Sequence, residues 1–454
     1  MDWAKLFSHH RLGQTAPPMR RALKAEGRSD FQRDFDRVLF SSAFRRLQSK
    51  TQVVPLPEND FVHTRLTHSL EASCVGRSLG RIVGNRVIAS QPDLFRDIGV
   101  TASDFESVVA AACLAHDIGN PPFGHSGEDA ISEYFMSDKA APFLRDLTLK
   151  QIADLQRFEG NAAGFRLLTH TSPTHSALNT GLGLTYATLG AFTKYPKESL
   201  PQLKDAPAAS EKKFGFFQAE KQTFENIARE LHLLPKETSE GMWHRHPLAF
   251  LVEAADDLCY TIIDFEDGFK LDLVPFAVAE ALLIELIEDF HKIEARHQKI
   301  FDRREKIGYL RANAINRLIW QSADLFTENL PDLLSGKFDS NLTGLLPAHK
   351  TLREIVALSF DKIYRSRPVV EIETAGFEVL AGLLDVFLNA VFKPGSKHSQ
   401  LVAHLIPDKY LDKNRTPFAD KYLSIINITE FVAGMTDTFA IDTYRKLKGI
   451  SLPG

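Results

Sequence analysis

The sequence predicts an all-α fold, and three observations support it. Apolar residues recur at helical spacing through most of the 454 residues. Strand-like character is confined to one hairpin-like stretch near 51–62. No internal repeat and no Pro/Gly linker divides the chain. One large helical unit over 1–454 is therefore expected, with a core at about 60–270 and appended C-terminal helices at about 271–454.

Residues 30–47 (DFQRDFDRVLFSSAFRRL) open the helical series, with Phe31, Phe35, Val38, Leu39 and Phe44 as the apolar positions and charges between them. The stretch 51–62, TQVVPLPENDFV, combines β-branched residues, two prolines and an Asn-Asp turn, which is hairpin chemistry. A long helix is expected over 67–89, opened by a Thr/Ser cap region, and another over 103–117. Further helices follow over 158–170, 246–265, 273–301, 314–326, 369–391 and 425–448. Residues 195–217 differ. Rich in Lys, Pro and Ser, they read as an exposed excursion from the helical body. Lys194, Lys197, Lys204, Lys212 and Lys213 lie in or beside it, available to phosphate, solvent or a second subunit.

A hydrophobic share of 44% with 25% charged residues fits a soluble globular protein with a large core. The net charge of −4 supplies no bulk basic field for nucleic acid or an anionic membrane. Cys74, Cys113 and Cys259 sit in apolar stretches and read as reduced core thiols of a cytoplasmic protein. The opening MDWAKLFSHHRLG lacks the apolar run of a signal peptide. No stretch reaches roughly 18–20 uncharged apolar residues, so no membrane partner is expected.

Four segments place ionisable groups on otherwise apolar helices. In HTRLTHSLEA, His68 is flanked by Arg65 and Glu71. CLAHDIGNPPFGHSGE supplies two further pairs, His116-Asp117 and His125 with Glu128. In EAADDLCYTIIDFED, Asp256, Tyr260 and Asp264 recur at every fourth residue and share one helix face. Buried charges are costly unless paired or bound to metal. Two His and two Asp form a mixed N/O set suited to a divalent ion with open positions. Each feature alone has an ordinary alternative: a core histidine, a polar helix exit, or a solvated Asp256-Asp257 face. His63, Glu71 and Cys74 keep that ordinary reading.

Order and spacing of the whole set resemble the HD superfamily of metal-dependent phosphohydrolases. More specifically, DFDRVLFSSAFRRLQSKTQVVPL, HTRLTHSLEAS, AACLAHDIGNPPFGHSGEDAI, RFEGNAAGFRLL, KFGFFQAE, HPLAFLVEAADDLCYTIIDFEDG and FVAGMTDTFAIDTYRKLKG resemble the bacterial dGTP triphosphohydrolase (dGTPase-like) family, across residues about 17–450. The resemblance implies an HD-domain helical fold. It also implies hydrolysis of deoxynucleoside triphosphates (dGTP and other dNTPs) to deoxynucleoside and inorganic triphosphate.

By the same resemblance the metal ligands are His68, His116, Asp117 and Asp256, with Asp257 the rival for the last place. The cofactor is a divalent ion, Mn or Mg first, with Ni, Zn, Fe and Co compatible. His125 falls where the family has its catalytic histidine and Glu128 where it has the acid orienting that ring. Gln52 and Asp264 match contacts to the sugar 3′-hydroxyl, Tyr260 matches the ring against the ribose, and Arg65 is placed to meet phosphate. Arg45 and Arg46 match the segment that binds an activating nucleotide in a vertebrate relative. Family habit further implies a homo-oligomer, often a hexamer, and allows single-stranded DNA as a partner. Two alternatives share these residues: another HD nucleotide phosphohydrolase, acting as a phosphomonoesterase or phosphodiesterase, or a non-catalytic nucleotide or single-stranded nucleic acid binder. The former gives no reason for Gln52, Tyr260 and Asp264 to occur together. The latter normally loses its ligands.

Overall fold

Two helices, Arg65–Ser90 and Ala102–Ala115, form an antiparallel pair at the centre of the fold. Their closeness is written in glycine. Gly76, Gly80 and Gly84 recur every fourth residue and so share a face. A Cβ on Gly80 would lie 2.8 Å from the Phe105 carbonyl oxygen, and one on Gly76 would lie 2.5 Å from Cys113 Sγ. Gly84 meets Ala102 while Gly76 meets Cys113, so the start of the first helix lies beside the end of the second. His68 and His116 stand at those two ends.

The computed structural model from which these positions come describes residues 1–14, 27–52, 63–170, 181–200, 208–237 and 240–450. Among the described residues no strand forms, and β pairing is limited to isolated bridges such as Thr51 with Thr64. Residues 53–62, the body of the expected hairpin, lie outside the described part, as do residues 201–207 with Lys204.

A third helix, Pro247–Lys270, crosses the central pair and brings Asp256 to it. Its start is encoded locally: Pro247 occupies the first turn, and His246 Nδ1 accepts from the Leu248 N–H at 3.1 Å. These three helices share one hydrophobic core with the N-terminal helices and with those running to about residue 363. A second core joins the helix Gly124–Met136 to the C-terminal helices Arg367–Phe392, Lys421–Ala433 and Asp437–Leu447. Between Ile118 in the first core and Phe123 in the second, the chain crosses from one to the other. Arg367–Phe392 is long and apolar enough to cross a membrane by composition, although Glu378 and Asp385 interrupt it. Here it packs against Gly124–Met136 and the two last helices.

Several expected elements come out differently. Residues 30–47 form two helices, Asp30–Leu39 and Ser42–Arg46, because the Ser41 hydroxyl caps the second by accepting from the Phe44 N–H at 3.1 Å. Residues 273–301 hold a helix over Phe276–Glu285 and then short turns, and Asp289 pairs locally with Lys292 at the break. Residues 425–448 divide at Gly434, and Thr436 starts a new helix by accepting from the Phe439 N–H.

The described parts of 195–217 are not the exposed excursion expected. Lys197, Glu198 and Ser199 are buried, as are Phe214, Phe216 and Phe217. Glu198 is neutralised by Lys150 and Lys221, which lets a polar sequence pack inside. Cys113 and Cys259 are buried, but Cys74 is exposed. Two residues before Gly76, it is turned about 200° away from the glycine face.

Candidate active site

At the junction of the three helices, His68, His116 and Asp256 each present a ligand atom, and these atoms lie within 4.8 Å of one another. Asp256 Oδ1 is 3.1 Å from His68 Nε2 and 3.3 Å from His116 Nε2. The His116 ring is oriented from behind: its Nδ1–H donates to the Cys113 carbonyl at 2.7 Å, which leaves Nε2 as the free lone pair. Both imidazoles are buried and Asp256 is half-buried, and a convergent set of two imidazoles and a carboxylate is what a divalent ion takes. These residues therefore fit the metal site expected of them. Burial would raise the Asp256 carboxyl, but Lys194, His116 and His68 hold it well below the usual carboxylate range.

Asp117 adjoins the cluster, with both of its oxygens also held by neighbours. Its Oδ1 is 3.4 Å from His116 Nε2, Asn120 donates to that oxygen at 2.6 Å, and Arg65 Nη1 donates to Oδ2 at 2.6 Å. Burial opposes ionisation of Asp117, but Arg65, His116 and His68 outweigh it and depress the pKa. Arg65 is thus a buried partner of Asp117 and also passes against Gly124. Asp257 faces away, accepting from Asn341 at 2.7 Å and Thr343 at 2.6 Å.

His125 and Glu128 sit in the first turn and a half of Gly124–Met136. His125 Nδ1 is 2.8 Å from Glu128 Oε2, and the Gly160 N–H donates to Glu128 Oε1 at 2.7 Å. Only glycine allows that approach, since a Cβ on residue 160 would lie 2.6 Å from Glu128 Oε1. The hydrogen bond to Glu128 raises the His125 pKa above its ordinary value against the opposing effect of desolvation. Burial would raise Glu128, but His125 and Lys213 hold it low. The carboxylate is buried, whereas the His125 side chain is 76% exposed, free to meet a ligand at Nε2.

Further along Pro247–Lys270, Tyr260 stacks on Tyr364 with ring centroids 5.7 Å apart and planes within 6°. The Tyr364 hydroxyl donates to Asp264 Oδ2 at 2.7 Å. Asp264 Oδ1 and Gln52 Oε1 are both buried without a protein partner. Arg45 is exposed and turns back on the Phe40 carbonyl at 3.1 Å, and among the described residues no contact ties it to this centre.

Sequence reasoning left out Tyr364 and did not foresee that Lys194 and Lys213 pair with carboxylates of the site. Lys194 pairs with Asp256. Lys213 lies 3.2 Å from Glu159 and 3.7 Å from Glu128. Tyr364 lies 100 residues beyond Asp264 and carries no local signal. The motifs KFGFFQAE and RFEGN carry Lys213 and Gly160, the two groups that meet Glu128 from outside its own helix.

The HD domain family matches residues 65–164, the segment that carries His68, His116, Asp117, His125 and Glu128. The chain is 43% identical to a deoxyguanosinetriphosphate triphosphohydrolase-like protein of Synechocystis sp., over the whole of both chains. It is 37% identical to a protein so described from Pseudomonas aeruginosa, again over both full lengths. It is 32% identical to the deoxyguanosinetriphosphate triphosphohydrolase of Yersinia enterocolitica, covering 92% of this chain and 93% of that one. The chain belongs to the deoxyguanosinetriphosphate triphosphohydrolase-like family. As a member of that family it is an HD-domain enzyme, a metal-dependent phosphohydrolase. The family assignment matches the all-α architecture and accounts for buried imidazoles converging on a carboxylate.

Proposed function

We propose that this enzyme hydrolyses deoxynucleoside triphosphates, dGTP among them, to the deoxynucleoside and inorganic triphosphate. The observation that supports this best is the order of groups along Pro247–Lys270. Asp256 belongs to the metal cluster, and Tyr260 and Asp264 follow at one-turn intervals, about 6 and 12 Å along the helix axis. Such a row suits a substrate whose reacting phosphorus lies at the cluster and whose sugar lies over Tyr260.

A divalent ion bound by His68, His116, Asp256 and Asp117 would neutralise charge on the phosphoryl oxygens and acidify the attacking water. The chain supplies the rest. Water oxygen bonds to the α-phosphorus, the bond from phosphorus to the 5′ oxygen breaks, and the water proton leaves to solvent. His125 protonates the departing 5′ oxygen through Nε2 while Glu128 holds Nδ1, and its exposed ring is reprotonated from solvent. Arg65 and Lys194 supply positive charge beside the cluster. Asp264 Oδ1 accepts from the sugar 3′-hydroxyl beside the Gln52 amide, which can turn its NH2 to donate to the same oxygen, and the Tyr260 ring leaves no room for a 2′-hydroxyl. Supporting this reading, Asp264 Oδ1 and Gln52 Oε1 are buried atoms with no protein partner.

Product chromatography tests the proposal. Inorganic triphosphate and deoxyguanosine are expected from dGTP, and pyrophosphate or orthophosphate as the first product would overturn it. The preferred ion, the subunit number and activation by a second dNTP at Arg45 and Arg46 are separate measurements. A dNTP panel assayed singly and in pairs with Mn or Mg reads the first and last of these.

A further inference from the structure

We infer that Asp437, at the start of the last helix, is a positioning residue that holds the two substrate-facing segments of the site in register. The inference rests on the proposed roles of His125 and Gln52. Its basis is one carboxylate with its two oxygens pointed at different parts of the chain. Asp437 Oδ1 accepts from the Phe123 N–H at 3.2 Å, and Oδ2 accepts from the Thr51 N–H at 2.9 Å and the Thr51 hydroxyl at 2.5 Å. Phe123 is two residues before His125, and Thr51 is next to Gln52. The carboxylate is almost wholly buried, at 1% exposure, so solvent cannot replace these bonds.

Asp437 is not needed to start its own helix, because Thr436 already caps it by accepting from the Phe439 N–H. Its carboxylate is therefore spent on the crossing between the two cores. That crossing is hard to hold. Phe123 has φ of 64° and Gly124 of 62°, a left-handed pair that a phenylalanine adopts only when its surroundings impose it. Gly376 makes room for the Phe123 ring, since a Cβ there would lie 2.8 Å from Phe123 Cδ2.

Lys50 completes the clamp from the other side. Its buried ammonium donates to the carbonyls of Asn120 and Ala433, the latter at 3.0 Å. Asn120 in turn holds Asp117. The segment Lys50–Gln52 itself runs beside Thr64 and Arg65, with the Arg65 N–H donating to the Lys50 carbonyl at 3.1 Å. Ala433 and Asp437 thus fasten the turn leading to His125 to the strand-like segment carrying Gln52, from more than 300 residues away in sequence.

The test is Asp437→Asn in the full chain, with Thr436→Ala as control. An amide keeps the volume but has one acceptor oxygen for two segments, so its NH2 must face a backbone N–H. With turnover followed as loss of dGTP, kcat is expected to fall about ten- to a hundredfold, the scale of a misplaced reacting group, and KM to rise several-fold as the segment carrying Gln52 shifts. Thr436→Ala weakens the same helix without touching the clamp and should lower the melting temperature while keeping kcat. Asp437→Asn with kcat within threefold of wild type overturns the inference, and so does an equal loss of kcat in Thr436→Ala.

If Asp437→Asn does not fold, Thr51→Val removes the hydroxyl arm alone. A several-fold rise in KM is then expected, and unchanged kcat and KM overturn the inference. Following substrate loss keeps this separate from the proposed reaction: wrong products from the wild type sink the triphosphohydrolase reading, not the clamp.

Discussion

Replacing His125 by alanine removes the proposed proton donor and nothing from the metal cluster, since His125 contributes no atom to the His68–His116–Asp256 group. General acid catalysis is worth about 10²–10⁴-fold, or roughly 2.7–5.5 kcal/mol of barrier. The structure places this site in the lower half of that range. With 76% of the His125 side chain exposed, solvent can still deliver a proton slowly to the leaving oxygen, so a loss of about 10²–10³-fold in kcat is expected. The assay is steady-state release of triphosphate from dGTP, with metal content measured on the same samples.

Glu128→Gln adds a sign. The hydrogen bond to Glu128 raises the His125 pKa, and the protonated ring is the active form. Activity should therefore be present below the raised pKa and fall as pH rises through it. Removing the carboxylate charge should move that alkaline limb to lower pH. His125→Ala with kcat within threefold of wild type and full metal content would refute the acid role, as would a Glu128→Gln limb that stays put.

Chelation should abolish turnover and lower the melting temperature, both restored by Mn or Mg; an ion at 100 times its Kd adds about 2.7 kcal/mol to stability. Asp256→Ala should not respond to added metal, and activity in chelator would contradict the assignment. Tyr364→Phe leaves both oxygens of the buried Asp264 without a partner, so KM for dNTP should rise about tenfold and discrimination against ribonucleotides should weaken, read by competing dGTP with GTP. Away from the site, burial pushes the fully buried Asp154 up to about 6. Ionising it in the folded state carries a penalty absent below its ordinary pKa and complete above about 6, so wild-type stability falls across that window. Asp154→Asn should flatten that decline and be more stable than wild type at pH 8, by about 1–3 kcal/mol in denaturant titrations. An unchanged slope would show that Asp154 is not its source.

What the sequence revealed was set by local chemistry. His68, His116 and Asp256 were legible because imidazoles and carboxylates on apolar helices need a reason to be there, and Thr64, Thr101 and His246 mark the starts of their helices. The glycines that press the central pair together stood in plain view at every fourth residue. What stayed hidden depends on tertiary approach. Lys194 looked like part of a polar excursion, yet it is buried against Asp256 because neighbouring charges are neutralised in pairs. Tyr364 follows an ordinary helix and reaches Asp264 only through packing. Cys74 sat in an apolar stretch but on the wrong face, and the break at Gly434 looked like a continuous helix until Thr436 supplied a cap.

The two cores give these residues a division of labour. His68, His116 and Asp256 all stand on helices of the first core, so the metal cluster is assembled without the C-terminal helices. His125 and Glu128 stand on Gly124–Met136, whose apolar face packs against Arg367–Phe392 in the second. Asn120, Pro121 and Pro122 span the boundary, and the two prolines fix φ and remove two donors from a turn that has few places to put them. Acid and cluster are therefore joined by a short rigid crossing, and their distance depends on how the second core seats against the first. Damage to the second core should separate the two functions. Substitutions there that leave the chain folded should cost kcat while metal content stays full, whereas substitutions between Arg65–Ser90 and Ala102–Ala115 should lose both together.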